Sequence, residues 1–262
     1  MGTCIAKCTP SLGNVSIFWA RCSECVLWEN TVGKTILYLR DGHGGEIAEV
    51  RNAIVDAAFQ HSLECEPVSH LLWIDDDVLV FPGLLLELLH QHVDICSGVY
   101  FTKHPDDLGA PLIYPRKGEG PDRFRPNQAY DVWGHGMGAT LVKLDVYRRM
   151  FDELKLPPDK YGRPSWYHTT NLSQEVRLDE RGIVGTGDTE DLHFLDNAAK
   201  VGYQPRVVTT KHAFGFHYQA EVRNRMGKVI KEEMGYPMKQ WRQWIAGEKI
   251  RWDTPEGEVV WD

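Results

Sequence analysis

The chain has 262 residues, of which 42% are hydrophobic, 25% charged and 11% aromatic. Those values exclude the disordered, collagen-like and coiled-coil classes. A formal charge of −8, from 29 basic and 37 acidic side chains, argues against a surface built as a broad nucleic-acid footprint. No apolar run approaches the roughly 18 residues that a membrane span needs. The opening residues lack the basic start and apolar stretch of a signal peptide, so a soluble, cytoplasmic protein is expected.

In chain order, Ile5 to Cys8 reads as a strand that stops at the turn cluster Thr9-Pro10-Ser11. Asn14 to Trp28 reads as helix and Lys34 to Leu39 as strand. After the glycine loop Gly42-His43-Gly44-Gly45, Ile47, Val50, Ile54, Val55 and Ala58 recur at helical spacing. His70 to Ile74 is apolar without alternation, the pattern of a central strand covered on both faces. It ends at Asp75-Asp76-Asp77. A helix over Leu84 to His90 and a strand over Asp94 to Phe101 follow. Lys103 to Arg125 is rich in Pro, Gly and charge, a length and composition typical of a functional loop. Then come the strand-like Ala139 to Leu144, a helix over Asp145 to Leu154, a helix over Glu190 to Val201 and a strand over Pro205 to Thr210. Strand and helix alternating in this way predict an α/β fold with a mostly parallel central sheet flanked by helices. From Glu221 onward Arg, Lys and Trp dominate. The expected organisation is a catalytic core over 1–217 and a helical, aromatic and basic extension over 218–262 packed on it.

Four of the six cysteines, Cys4, Cys8, Cys22 and Cys25, lie early. Their spacing would allow a zinc site. Cys22 and Cys25 fall inside the predicted first helix without the Gly or Pro of a zinc knuckle. Reduced thiols, small hydrophobes in effect, are therefore expected.

Chemistry concentrates in three places. On an extended backbone Asp75 and Asp77 share a face while Asp76 points away. Such a pair, at the end of a central strand where open sheets bind ligands, would attract a hard divalent cation able to bridge phosphate oxygens. Glu190-Asp191 opens a helix just after Gly185-Thr186-Gly187. Asp188 or Thr189 can cap this helix and acids in its first turn are eased by its dipole, or one of the acids can face a reaction centre as general base. His212, with His217 five residues on, offers an imidazole as a further metal ligand beside the carboxylates.

Taken in order, these residues resemble the GT-A fold glycosyltransferases, and among them the small family-2-like bacterial and phage enzymes. The likeness spans about Ile5 to His217. It rests on Thr9-Pro10-Ser11, on Ile47-Ala48-Glu49-Val50-Arg51-Asn52 (similar to the family's "IAxxRN" helix) and on Trp73-Ile74-Asp75-Asp76-Asp77, which matches its DxD motif. Gly136-Met137-Gly138-Ala139-Thr140-Leu141 resembles the acceptor-side strand, and Glu190-Asp191 the "ED" helix. The extra Asp in the motif and the tail after His217 depart from the pattern. The resemblance implies a Rossmann-like nucleotide-sugar fold and transfer, with inversion, from a UDP-sugar to an acceptor hydroxyl. It implies donor contacts from Thr9, Pro10, Ser11, Arg51, Asp75 and Asp76. Mn2+ or Mg2+ would be held by Asp75, Asp77 and His212, and Asp191, with Glu190, would supply the base.

Implied acceptors are a glycan, a small molecule or the hydroxymethylated DNA bases that phage enzymes of this kind glucosylate. The cationic and aromatic tail from Arg223 to Trp252 suits such DNA. The competing expectation is an amphipathic helix with Trp241 and Trp244 turned inward. A nucleotidyltransferase would want a basic glycine-rich triphosphate loop after the first strand, which Ser11-Leu12-Gly13-Asn14 does not provide. A catalytically silent nucleotide-sugar or carbohydrate-binding module would have no need of Asp191.

Overall fold

The computed structural model describes residues 4–10, 36–41, 46–65, 67–103, 109–119, 123–169, 176–179, 182–185, 189–223 and 229–262. Its centre is a seven-stranded sheet in the order β2-β1-β3-β9-β5-β12-β7. The strands are β1 (Cys4–Pro10), β2 (Ile36–Asp41), β3 (Val68–Ile74), β5 (Ile95–Gly98), β7 (Ala129–Asp131), β9 (Ala139–Lys143) and β12 (Arg206–Val208). β1 runs parallel to β2 and β3, and β12 parallel to β5. β9, however, lies antiparallel between β3 and β5, and β7 antiparallel on β12.

The fold is therefore mixed α/β: β2, β1, β3, β5 and β12 share one direction, and β9 and β7 run against it. A parallel return requires a crossover that carries the chain back to the start of the sheet, commonly a helix. Between β5 and β9 the described chain forms only bridges, turns and the short strands β6 (Ile113–Tyr114), β7 and β8 (Gly134–His135). The chain re-enters the sheet at β9 from the carboxyl end of β5, with Ser97 opposite Thr140 and Ile95 opposite Val142.

Burial on both sides follows from the period-2 alternation of β3. Leu71 and Trp73 pack with α1 (Ile47–Glu64), α3 (Leu144–Leu154) and α4 (Glu190–Lys200), through Val50, Ile54, Tyr147, Met150, Phe194 and Leu195. Leu72 and Ile74 face the other way, against Leu84, Leu85 and Leu88 of α2 (Leu84–His90) and Val78 and Val80 of β4 (Val78–Val80). The unbroken apolar run of β3 is the sequence signature of this double cover. Among the described residues no helix is long and apolar enough to cross a membrane.

A second sheet, β14-β13-β4, stands beside the first. Strand β13 (Gly215–Arg223) runs antiparallel to β4, with His217 opposite Val78, and antiparallel to β14 (Val229–Tyr236). Beyond it come α5 (Met238–Ile245) and a hairpin of β15 (Ile250–Thr254) and β16 (Gly257–Trp261). The tail expected to be helical is thus mostly strand. Its aromatics close a third core, in which Phe214, Phe216, Trp241, Trp252 and Trp261 pack together. Trp241 is buried and Trp244 partly buried, and their rings stack at 5.2 Å. Two more strands, β10 (Val176–Asp179) and β11 (Gly182–Gly185), pair as an antiparallel hairpin.

Candidate active site

The carboxyl ends of β1 and β3 lie side by side, with Cys8 opposite Trp73 in parallel register. Thr9 and Pro10 therefore end β1 at the sheet edge where β3 runs into its acidic turn. Ser11, the last residue of the Thr9-Pro10-Ser11 cluster, and Cys22 and Cys25, half of the early cysteine set, lie outside the described residues.

Asp75-Asp76-Asp77 is not extended. The Val78 N–H donates to the Asp75 carbonyl at 3.2 Å, which closes a turn, and the Asp75 N–H donates to the Gly138 carbonyl at 3.3 Å. The turn cancels the strand alternation, so Asp75 and Asp77 take different partners. Asp76 is half-buried between them. Gly138 is required by this packing, because a Cβ there would lie 2.8 Å from Asp75 Oδ2.

Asp75 turns towards α1 and α4. Its Oδ1 accepts a hydrogen bond from Arg51 Nη2 at 3.1 Å. The same nitrogen stands 3.4 Å from Asp191 Oδ1, and Arg51 Nε stands 3.8 Å from Glu190 Oε1. Asp191 Oδ2 accepts the Met137 backbone N–H at 3.0 Å. Burial pushes the Asp75 carboxyl up to about 6 despite the Arg51 charge. Burial likewise pushes Asp191 up to about 6, against the pull of Arg51 and with Glu190 adding repulsion. Arg51 is held above its ordinary value, because the surrounding carboxylates outweigh its own burial. The Asp191 side chain keeps 16% of its surface exposed, while its Oδ1 is buried without a hydrogen-bond partner. Thr189 precedes α4 without a side-chain cap bond, so it does not cap the helix. Asp188 lies outside the described residues.

Asp77 turns the other way. Its Oδ2 meets the Lys103 ammonium and lies 3.2 Å from His217 Nε2. Burial alone would raise this carboxyl, but the His217 hydrogen bond and charge, with Lys103, hold it well below the usual range. His217 Nδ1 lies 2.8 Å from the Phe101 carbonyl oxygen. A carbonyl can only accept, and so can the ionised Asp77 carboxylate, so each ring nitrogen donates to its partner. Were a cation to take the place of the proton on Nε2, the Phe101 carbonyl would still fix the ring, as outer-shell carbonyls do for metal-binding imidazoles. Tyr100 packs edge-on against His217 with ring centroids 5.6 Å apart, and its hydroxyl accepts the Gly138 N–H at 2.9 Å.

His212 is not brought to this cluster. It is exposed, and its Nδ1 donates to the Pro82 carbonyl at 2.9 Å, at the start of α2. His217 stands where His212 was expected, because β13 pairs with β4 and sets residue 217 opposite Val78, next to Asp77. Among the described residues no group of three or more His, Cys, Asp or Glu is gathered for a metal ion. Among the described residues the donors that stand together are the Asp77 carboxylate, a hard oxygen ligand, and the His217 imidazole, a borderline one. Substrate phosphates would have to complete the coordination of any cation held there. Sequence reasoning passed over Lys103 and gave His217 no role, and nothing local marks Lys103.

No protein-family model and no curated protein matches the chain. Among solved structures, A197 from STIV is similar with a TM-score of 0.46 and 18% identity, over 88% of this chain and 94% of that one. A glycosyltransferase involved in the glycosylation of the major capsid of PBCV-1 has a TM-score of 0.33 and 13% identity, over 57% of this chain and 66% of that one. A putative glucose-1-phosphate thymidylyltransferase from Bacillus anthracis, in complex with a sucrose, has a TM-score of 0.29 and 10% identity, over 58% and 76%. Similarities of this size say nothing about chemistry, which rests on the chain's own residues.

Proposed function

We propose that the protein is a glycosyltransferase that moves a sugar from a nucleoside diphosphate donor, a UDP-sugar in the first instance, to an acceptor hydroxyl with inversion. One observation carries this reading. A cation-seeking pair, Asp77 and His217, and a largely buried carboxylate, Asp191, flank the same acidic turn. The first suits a diphosphate and the second a hydroxyl proton.

A divalent cation held by Asp77 and His217 would neutralise charge on the departing diphosphate. Lys103, already at Asp77, is placed to swing from that carboxylate to a phosphate oxygen. Asp191 takes the proton of the acceptor hydroxyl. The acceptor oxygen bonds to the anomeric carbon while the bond from that carbon to the phosphate oxygen breaks, and its electron pair leaves with the diphosphate. A carboxylate raised by burial serves this role better than a solvated one, because its proton affinity lies nearer working pH. The Met137 N–H fixes the direction in which Asp191 faces. Thr9 and Pro10, at the carboxyl end of β1, and Asp76 border the region a nucleoside would occupy.

The test is turnover of a UDP-sugar panel in the presence of Mn2+ or Mg2+, with glycans, small-molecule alcohols and hydroxymethylpyrimidine DNA as acceptors. Release of UDP that disappears in Asp77→Ala supports the reading. Absence of UDP binding and of release with every donor removes it.

A further inference from the structure

Arg51 belongs to the segment whose likeness to known enzymes implies a nucleotide contact, but its surroundings point elsewhere. The residue is 1% exposed. Its guanidinium carbon lies 5.2 Å from the Trp73 ring centre and 5.7 Å from that of Tyr167. Those rings are themselves fixed. Asn52 clamps the Tyr167 backbone from both sides, accepting its N–H at 2.9 Å and donating to its carbonyl at 3.0 Å. Trp73 Nε1 donates to the Tyr147 hydroxyl at 2.8 Å, and that hydroxyl shares a 2.8 Å hydrogen bond with Tyr167. The guanidinium thus sits in a rigid aromatic box, and one nitrogen, Nη2, faces both Asp75 and Asp191.

These carboxylates come from two elements that share no local sequence, the turn after β3 and the first turn of α4. We infer that Arg51 is a positioning residue that locks Asp191 to the acidic turn, so that the base and the diphosphate site keep a fixed separation, and that it does not touch the nucleotide. The inference rests on the transferase reading. A guanidinium suits the task because it stays charged and spreads several donors in one plane, whereas an ammonium is a point charge on a flexible stem. In-line displacement is sensitive to such spacing, and a misplacement of about 1 Å can cost about 100-fold in rate.

The experiment compares the parent with Arg51→Lys and Arg51→Met in four measurements. These are UDP affinity by calorimetry, KM for the UDP-sugar, kcat, and recovery of kcat on adding guanidinium ion at low millimolar concentration. Positioning predicts UDP affinity and donor KM within about threefold of the parent. It predicts kcat lower by about 100-fold in Arg51→Met and by less in Arg51→Lys, with partial recovery in guanidinium. If Arg51→Met does not fold, Arg51→Lys, which keeps the charge in the box, decides alone. A folded Arg51→Lys with parental kcat overturns the inference, and so does a tenfold weaker UDP affinity with kcat intact. A parent that binds UDP yet turns over no UDP-sugar removes the transfer reading and this one with it. A parent that is active beside an indifferent Arg51 variant removes this one alone.

Discussion

Asp191→Asn separates a catalytic acid from one that merely decorates a helix start. The substitution preserves shape and can keep the Met137 N–H bond through the amide oxygen, but it leaves no proton acceptor. General-base loss typically costs about two to four orders of magnitude in rate, so single-turnover transfer should fall by that amount while UDP affinity holds. The stability effect has the opposite sign from the usual one. Burial raises the folded-state carboxyl from 3.8 to about 6, so between those values the folded protein holds a proton that the unfolded chain has released. Stability contributed by the protonated group is therefore lost as pH rises through that window, by roughly 1–3 kcal/mol. Asn carries no such penalty, but with its oxygen on the Met137 N–H its NH2 faces Arg51 Nη2, which retains Asp75 and Glu190 as partners. The variant should therefore show a flatter stability profile than the parent between pH 4 and 6. Urea denaturation at several pH values, paired with single-turnover kinetics, reads both effects. An acid that only eased the helix dipole would give about 1 kcal/mol of lost stability or less and near-parental turnover. That outcome would remove Asp191 from the mechanism and open a retaining course.

Three further outcomes follow from the geometry. UDP affinity should fall when a chelator removes divalent cations; Asp77→Ala and His217→Ala should abolish that metal dependence, and His212→Ala should leave it intact, all by calorimetry. Gly98→Ala should destabilise the protein by about 3 kcal/mol or more, measured by urea denaturation, because the new Cβ would stand 2.1 Å from the Ala213 carbonyl oxygen and backbone there cannot step aside. Trp241→Ala should cost about 3–5 kcal/mol in the same assay, since the indole is 2% exposed and packs on Phe216 at 5.3 Å.

The alternation of elements was legible because β3 carries an unbroken apolar run and α1 a clear helical stripe. The direction of β9 was not, since an apolar strand reads the same whichever way it enters a sheet. The acidic turn shows how one backbone hydrogen bond defeats a pattern. Alternation puts Asp75 and Asp77 on one face, but the Val78 N–H bond to Asp75 sends one to Arg51 and the other to His217. The choice between His212 and His217 depended on a long-range register, β13 against β4, that five residues of spacing cannot encode. Arg51 was marked by its motif, yet its burial reflects Trp73 and Tyr167, residues 22 and 116 positions away. In the tail, Trp241 turns inward as the amphipathic pattern implied, while Arg223 ends β13, Val229 opens β14, and 224–228 lie outside the described residues.

Strand β13 has a consequence for anyone re-engineering the chain. It pairs with β4 on one edge and β14 on the other, and it carries His217 near its start. Shortening the protein at residue 217 would cut that strand and bare the apolar rings of Phe214 and Phe216, an invitation to self-association. A chimera that borrows the tail of another protein has to bring a matching β13, or lose the imidazole beside Asp77. Insertions are better placed at the tip of the β15–β16 hairpin, where Pro255 and Glu256 are exposed and backbone pairing is already complete on both sides.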